Sequence, residues 1–106
     1  MDKTQVDIIN TLKKMLFSLE RDNIKINEAF LFGSYASGNY REDSDIDIAL
    51  VSDSFKGVRF TDRKKLAKYT IQLDSRIETH PFSSSDFQSR NNFFANEIVT
   101  TGIKIK

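Results

Sequence analysis

A chain of 106 residues has room for one domain, expected to span residues 1–106, with a core of modest size. Sixteen Lys and Arg against fifteen Asp and Glu leave a net charge of +1, too little to draw the chain to nucleic acid or an anionic membrane. Zero cysteines exclude a disulfide framework and thiolate metal sites.

The first 22 residues predict an amphipathic helix. Val6, Ile9, Leu12, Leu16 and Leu19 recur at steps of three and four, and Ile8 and Met15 widen the stripe. Thr4 followed by Asp7 resembles a capping box, and Asp22-Asn23 ends the helix. The acids Asp2 and Asp7 interrupt what a signal sequence would need, and no apolar run reaches the roughly 18 residues that cross a bilayer. A soluble cytoplasmic protein is expected, with no membrane attachment and no direct nucleic-acid binding.

Residues 29–32 are continuously apolar and too short for a helix, which predicts a strand buried on both faces and stopped by Gly33. A second strand is expected over residues 44–51 and a helix over 61–73, with Leu66, Tyr69, Thr70 and Leu73 on one face. The run Arg63, Lys64, Lys65 and Lys68 reads as its solvated side. Residues 76–80 predict a third strand ending at Pro81, whose ring forces His80 into extended geometry. One or two short helices are expected over 86–99, then an edge strand over 103–105. This alternation gives an α+β fold of α/β character. The lone His80 reads as structural, and Phe82, Phe87, Phe93 and Phe94 read as core.

Two acids interrupt the second strand. Alternation puts Asp45 and Asp47 on one side and Ile46, Ile48 and Leu50 on the other. Ionised carboxylates that close repel unless a cation joins them, and an all-oxygen donor set suits Mg²⁺ or Mn²⁺ rather than zinc. A bare Asp-x-Asp reads as an edge strand facing water, but the upstream context differs. A strand that runs into Gly33-Ser34 and then a helical turn suits phosphate, because glycine permits close backbone approach and exposed N–H groups and a hydroxyl bind anionic oxygens.

Gly33-Ser34, ten intervening residues and then Asp45-Ile46-Asp47 resemble the signature of the polymerase-β-type nucleotidyltransferase superfamily. More narrowly, they resemble the minimal nucleotidyltransferases (MNT family), small proteins often encoded beside a HEPN-domain partner. The resemblance implies a short mixed β-sheet flanked by helices, with the active site at its open edge. It implies that Asp45 and Asp47 are ligands of two Mg²⁺ ions, for which Mn²⁺ substitutes. Glu78 becomes the third catalytic and metal-binding carboxylate, with Asp74 the competing candidate. Gly33 and Ser34 would hold the β- and γ-phosphates of ATP. Many relatives carry Arg or Lys where this chain has Ser37, and Arg41 is the candidate to restore that charge at the nucleotide.

The implied reaction is Mg²⁺-dependent transfer of a nucleoside monophosphate, AMP from ATP, to an acceptor hydroxyl. So short a chain leaves little to grip an acceptor, which is therefore expected on another protein. In the families it resembles, that is a tyrosine of a HEPN toxin, which makes this chain the antitoxin. The alternatives are a non-catalytic module that masks its partner and a catalytic subunit acting on a small molecule such as an aminoglycoside.

Overall fold

The computed structural model describes the chain apart from Gly57, Val58 and Arg90 and the side chains of Arg59 and Phe60. Helix α1 (Lys3–Arg21) is capped by Asp2 rather than Thr4: the Asp2 carboxylate accepts the Gln5 N–H at 2.8 Å, and the Gln5 side chain accepts the Asp2 N–H at 3.1 Å. The cap thus lies two residues earlier than Thr4, and the buried stripe is Gln5, Ile8, Leu12, Met15, Leu16 and Leu19, with Val6 turned outward. Asn23, at φ 66°, ends the helix in the left-handed region.

Strand β1 (Glu28–Phe32) runs into the short helix α2 (Ser34–Ser37), and β2 (Ile46–Val51) leads to α3 (Arg59–Ile71). Next come β3 (Ile77–Phe82), α4 (Ser84–Gln88), α5 (Phe93–Thr101) and the short β4 (Ile103–Lys104). The sheet order is β3-β2-β1-β4, with β2 and β3 parallel and the other two pairings antiparallel. It is the short mixed sheet flanked by helices that the sequence implied. Pro81 does not stop β3, which continues to Phe82. β3 lies at the sheet edge, where a proline's missing N–H leaves no interior ladder bond unmade.

Strand β2 is covered on both sides. Ile46, Ile48 and Leu50 join Ala29, Leu31 and Ile77 against the buried residues of α1 and Leu66 and Tyr69 of α3. On the other face Ala49 and Val51 pack with Phe30, Phe87, Ala95 and Ile98. The phenylalanines divide: Phe87 is buried and Phe82 half-buried, but Phe93 is 82% exposed because it opens α5 on its solvent side.

Two features fasten the connection from β1 to β2. The first is Gly33, at φ +76° and ψ −152°, a conformation essentially restricted to glycine. A Cβ there would stand 2.5 Å from Asp47 Oδ2, so the chain has room only for hydrogen. The second is a polar network around the buried Tyr35. Its hydroxyl donates to the Arg41 carbonyl at 3.0 Å and accepts from Arg76 Nη1 at 2.8 Å, while its ring stacks on Tyr40 at 4.6 Å. Arg76 also donates to the Glu42 carbonyl at 2.8 Å and grips Asp74 through Nε and Nη2 at 3.0 and 2.7 Å. Gln5 ties α1 to this site by donating to the Tyr35 carbonyl at 2.8 Å, and the Tyr40 hydroxyl donates to Asp2 at 2.7 Å.

Two outcomes follow from these fastenings. Gly33→Ala should lower stability by about 1–3 kcal/mol, the scale of one strained backbone position; an unchanged urea midpoint would show that the turn relaxes freely. The hydrogen bonds from Arg76 hold the Asp74 carboxyl below the usual carboxylate value of 3.8. A depressed folded-state pKa gives stability that is present above the unfolded value and is lost as pH falls through the folded one. Urea midpoints measured from pH 7 down through about pH 3 should therefore show Asp74→Asn less stable at neutral pH and losing less than the parent below about pH 4. Parallel curves would contradict this.

Candidate active site

Asp47 is the centre of the site. Its register partners are Phe32 on β1 and Glu78 on β3, so it sits between the Gly33 turn and a second acid. The direction of its side chain is set by its neighbours, because Ile46 and Ile48 are buried on the opposite face. One carboxylate oxygen, Oδ1, lies 3.1 Å from His80 Nε2, and the other faces the bare Cα of Gly33. Donor atoms of Asp47, Glu78 and His80 all lie within 4.8 Å of one another. Among the described residues this is the group able to hold a metal ion, and two half-buried carboxylates with an imidazole suit a divalent cation.

Glu78 is half-buried, and its Oε1 lies 3.7 Å from Nη2 of Arg63 on α3. Asp74 is elsewhere, locked to Arg76. Asp45 is exposed and precedes β2, which begins at Ile46 where that residue's N–H donates to the Arg76 carbonyl at 2.8 Å. The strand is thus two residues shorter than expected at this end, and Asp45 lies before it, outside the Asp47 group.

Gly33 caps α2 and Ser34 is its first residue. The amides of Ala36 and Ser37 bond to the Gly33 carbonyl, whereas the first N–H groups of a helix have no carbonyl of that helix to reach. Ser37, where a basic residue was missed, donates its hydroxyl to the Ser34 carbonyl at 3.2 Å. Arg41 enters the structure through its main chain: its N–H donates to Ser44 Oγ at 2.7 Å and its carbonyl receives the Tyr35 hydroxyl, while the residue is exposed. A cavity of about 410 Å³ opens beside Gly33, Phe32 and Phe94, and one of about 450 Å³ beside His80, Phe82 and Phe93. The second is lined by His80 of the Asp47 group, the first by Gly33, which faces Asp47.

Two members of the site escaped the sequence reading. His80 is two residues after Glu78 and hence on the same side of β3, a period-two signal that the reading of a lone histidine before proline passed over. Arg63 belongs to a basic run on another element, and nothing in its spacing tied it to Glu78.

Residues 7–106 match the family model described as "Polymerase beta, Nucleotidyltransferase". A Methanocaldococcus jannaschii protein named for protein adenylyltransferase activity is 39% identical over 74% of this chain and 73% of its own length. The protein adenylyltransferase MntA of Shewanella oneidensis is 36% identical over 82% of this chain, which spans 59% of that longer protein. A crystal structure described as a toxin–antitoxin with AMP-PNP is 30% identical, with a TM-score of 0.60 over 92% of this chain and 72% of its own. A nucleotidyltransferase structure from Sulfolobus solfataricus has the same fold at 17% identity, with a TM-score of 0.69 over 96% of this chain and 82% of its own. The chain belongs to the polymerase-β nucleotidyltransferase family, in its minimal (MNT) branch, and is an enzyme of that class.

Proposed function

We propose that the chain, as one catalytic unit in the cytoplasm, transfers AMP from ATP to a tyrosine hydroxyl of a HEPN-domain toxin and thereby acts as its antitoxin. The observation that carries this reading is the position of Asp47, between the Gly33 turn and Glu78. The relatives support the finer part: two are named for protein adenylyltransferase activity, and a toxin–antitoxin structure carries AMP-PNP.

In this proposal Asp45, Asp47 and Glu78 would hold Mg²⁺, Asp45 from the position just before β2. Bound there, the ions offset the charge of the triphosphate and make the acceptor hydroxyl more acidic. The protein's work is positioning, as in other phosphoryl transfers. Gly33 and Ser34 hold the β- and γ-phosphates at the end of β1, and Arg41 reaches the nucleotide from the adjoining loop. The acceptor oxygen bonds to the α-phosphorus, the bond from that phosphorus to the bridging oxygen breaks, and pyrophosphate leaves. The hydroxyl proton passes to a carboxylate oxygen of Glu78.

The deciding experiment incubates the chain with α-labelled ATP, Mg²⁺ and the co-encoded protein, read by intact mass. One or more AMP units should appear on the partner, and none with Asp45→Asn/Asp47→Asn. Glu78→Gln should slow transfer by at least ~100-fold, the scale of one lost catalytic group, with only a few-fold loss in ATP binding. Asp74→Asn should leave transfer near that of the parent at neutral pH; an essential Asp74 with a dispensable Glu78 would overturn the assignment of the third acid. No transfer from a chain that binds both ATP and partner would favour masking over catalysis.

Binding has its own readouts. ATP with Mg²⁺ or Mn²⁺ should raise the melting temperature, because a ligand of the folded state alone stabilises it, and the double Asn variant should lose the metal-dependent part. Ser34→Ala is a cleaner probe of the phosphates than any change at Gly33, which also strains the turn. It should weaken ATP binding by about 1.5–3 kcal/mol, one hydrogen bond to a charged group.

A further inference from the structure

We propose that His80 is a direct ligand of the divalent ion at Asp47 and Glu78, so that the centre is a mixed nitrogen–oxygen site that prefers Mn²⁺ to Mg²⁺. The inference rests on the reading of Asp47 and Glu78 as metal ligands given above, and adds to it the third donor and the metal that it selects.

Strand register brings the three donors together. Asp47 pairs with Glu78 and Ala49 with His80 across parallel β2 and β3, so all four residues share one face of the sheet. Ala49 is the residue opposite the imidazole and offers only a methyl, which leaves the ring space to lean toward Asp47. The ring is buried, at 8% exposure, and has aromatic neighbours: Phe32 at 4.9 Å and 66°, Phe94 at 5.9 Å and 77°. Held edge-on by two phenyl groups, it keeps one aim, with Nε2 directed at Asp47 Oδ1.

One separation is already that of neighbouring metal ligands, and the others need a small closure. Neighbouring donors of an octahedral ion with bonds of about 2.1 Å stand about 3.0 Å apart. Nε2 and Oδ1 are 3.1 Å apart, and the whole donor set falls within 4.8 Å. The remaining adjustment falls to Glu78, whose side chain is 34% exposed and pairs with Arg63 only at 3.7 Å, a contact that an ion readily replaces. Mg²⁺ is a hard ion served by oxygen and demands near-ideal octahedral geometry, whereas an imidazole nitrogen favours first-row transition ions over Mg²⁺; Mn²⁺ is the one of these that also takes carboxylate oxygens as Mg²⁺ does. One imidazole in place of an oxygen ligand therefore tilts the site toward Mn²⁺.

A hydrogen bond from His80 to Asp47 would produce the same distance without coordination, so the test must see the nitrogen itself. His80 is the chain's only histidine, which gives an imidazole signal a single source in the untagged protein. Mn²⁺ bound to the untagged full-length chain should show, by pulsed electron paramagnetic resonance, the ¹⁴N coupling of a directly bound imidazole. In competition it should bind at least ~10-fold more tightly than Mg²⁺. His80→Ala should abolish the coupling and weaken Mn²⁺ binding by ~10-fold or more with a much smaller change for Mg²⁺, and His80→Asp should restore binding with the preference moved to Mg²⁺. Circular dichroism and melting of each variant separate these effects from unfolding, and the parent's coupling needs no variant at all. Mn²⁺ binding that is lost in Asp47→Asn but shows no ¹⁴N coupling in the parent overturns the ligand role of His80 and leaves the metal centre standing. Mn²⁺ binding indifferent to both Asp47→Asn and Glu78→Gln overturns the metal centre itself.

Discussion

The double pairing of Asp47, with Phe32 on one side and Glu78 on the other, is the constraint on which the site depends. It is enforced by residues that take no part in chemistry. A one-residue slip of β2 would exchange its two faces, forcing Ile46, Ile48 and Leu50 into the space that Asp47, Ala49 and Val51 occupy and Asp47 into the main core. Overpacking of that kind costs about 1–3 kcal/mol per site before the buried charge is counted. The position of the acid is thus a by-product of hydrophobic burial, specified by the alternation of large aliphatic side chains along the strand.

A second layer of control lies in polar groups inside the fold. The Tyr35 hydroxyl both donates and accepts, Arg76 uses three nitrogens on Tyr35, Glu42 and Asp74, and Gln5 uses its carbonyl for the helix cap and its amide for the Tyr35 carbonyl. Among the described residues no buried side-chain nitrogen or oxygen lacks a partner. A network satisfied to that degree holds the loop between the glycine turn and Asp47 in one conformation, because any rearrangement would strand a desolvated donor or acceptor.

Much of this was legible in the chain itself. Long apolar periods located α1 and α3, and short apolar runs located β1 and β2, since burial dictates those patterns. Gly33 was legible as a strand stop and a point of close backbone approach, but its left-handed conformation and its nearest neighbour were not: Asp47, 14 residues on, lies against it. The cap at Asp2 was misplaced to Thr4 because both positions offer a capping oxygen and only the helix start chooses between them. Asp45 read as a strand residue, yet pairing begins at Ile46, where the Arg76 carbonyl first supplies an acceptor. His80 carried a local signal, its two-residue step from Glu78, which was passed over, whereas Arg63 joined the site through a contact between α3 and β3 that no local pattern encodes.

The proline in β3 has a consequence for how the molecule behaves among its own copies. An edge strand is a row of unpaired donors and acceptors, a template on which a second chain can add by main-chain bonding alone. Here the strand that carries Glu78 lies on that open edge, with the chain's single proline three residues further on. The proline withholds one donor, and the acid sets a charge beside the row. Together they blunt the edge against strand-by-strand growth on the side of the sheet that carries the acid.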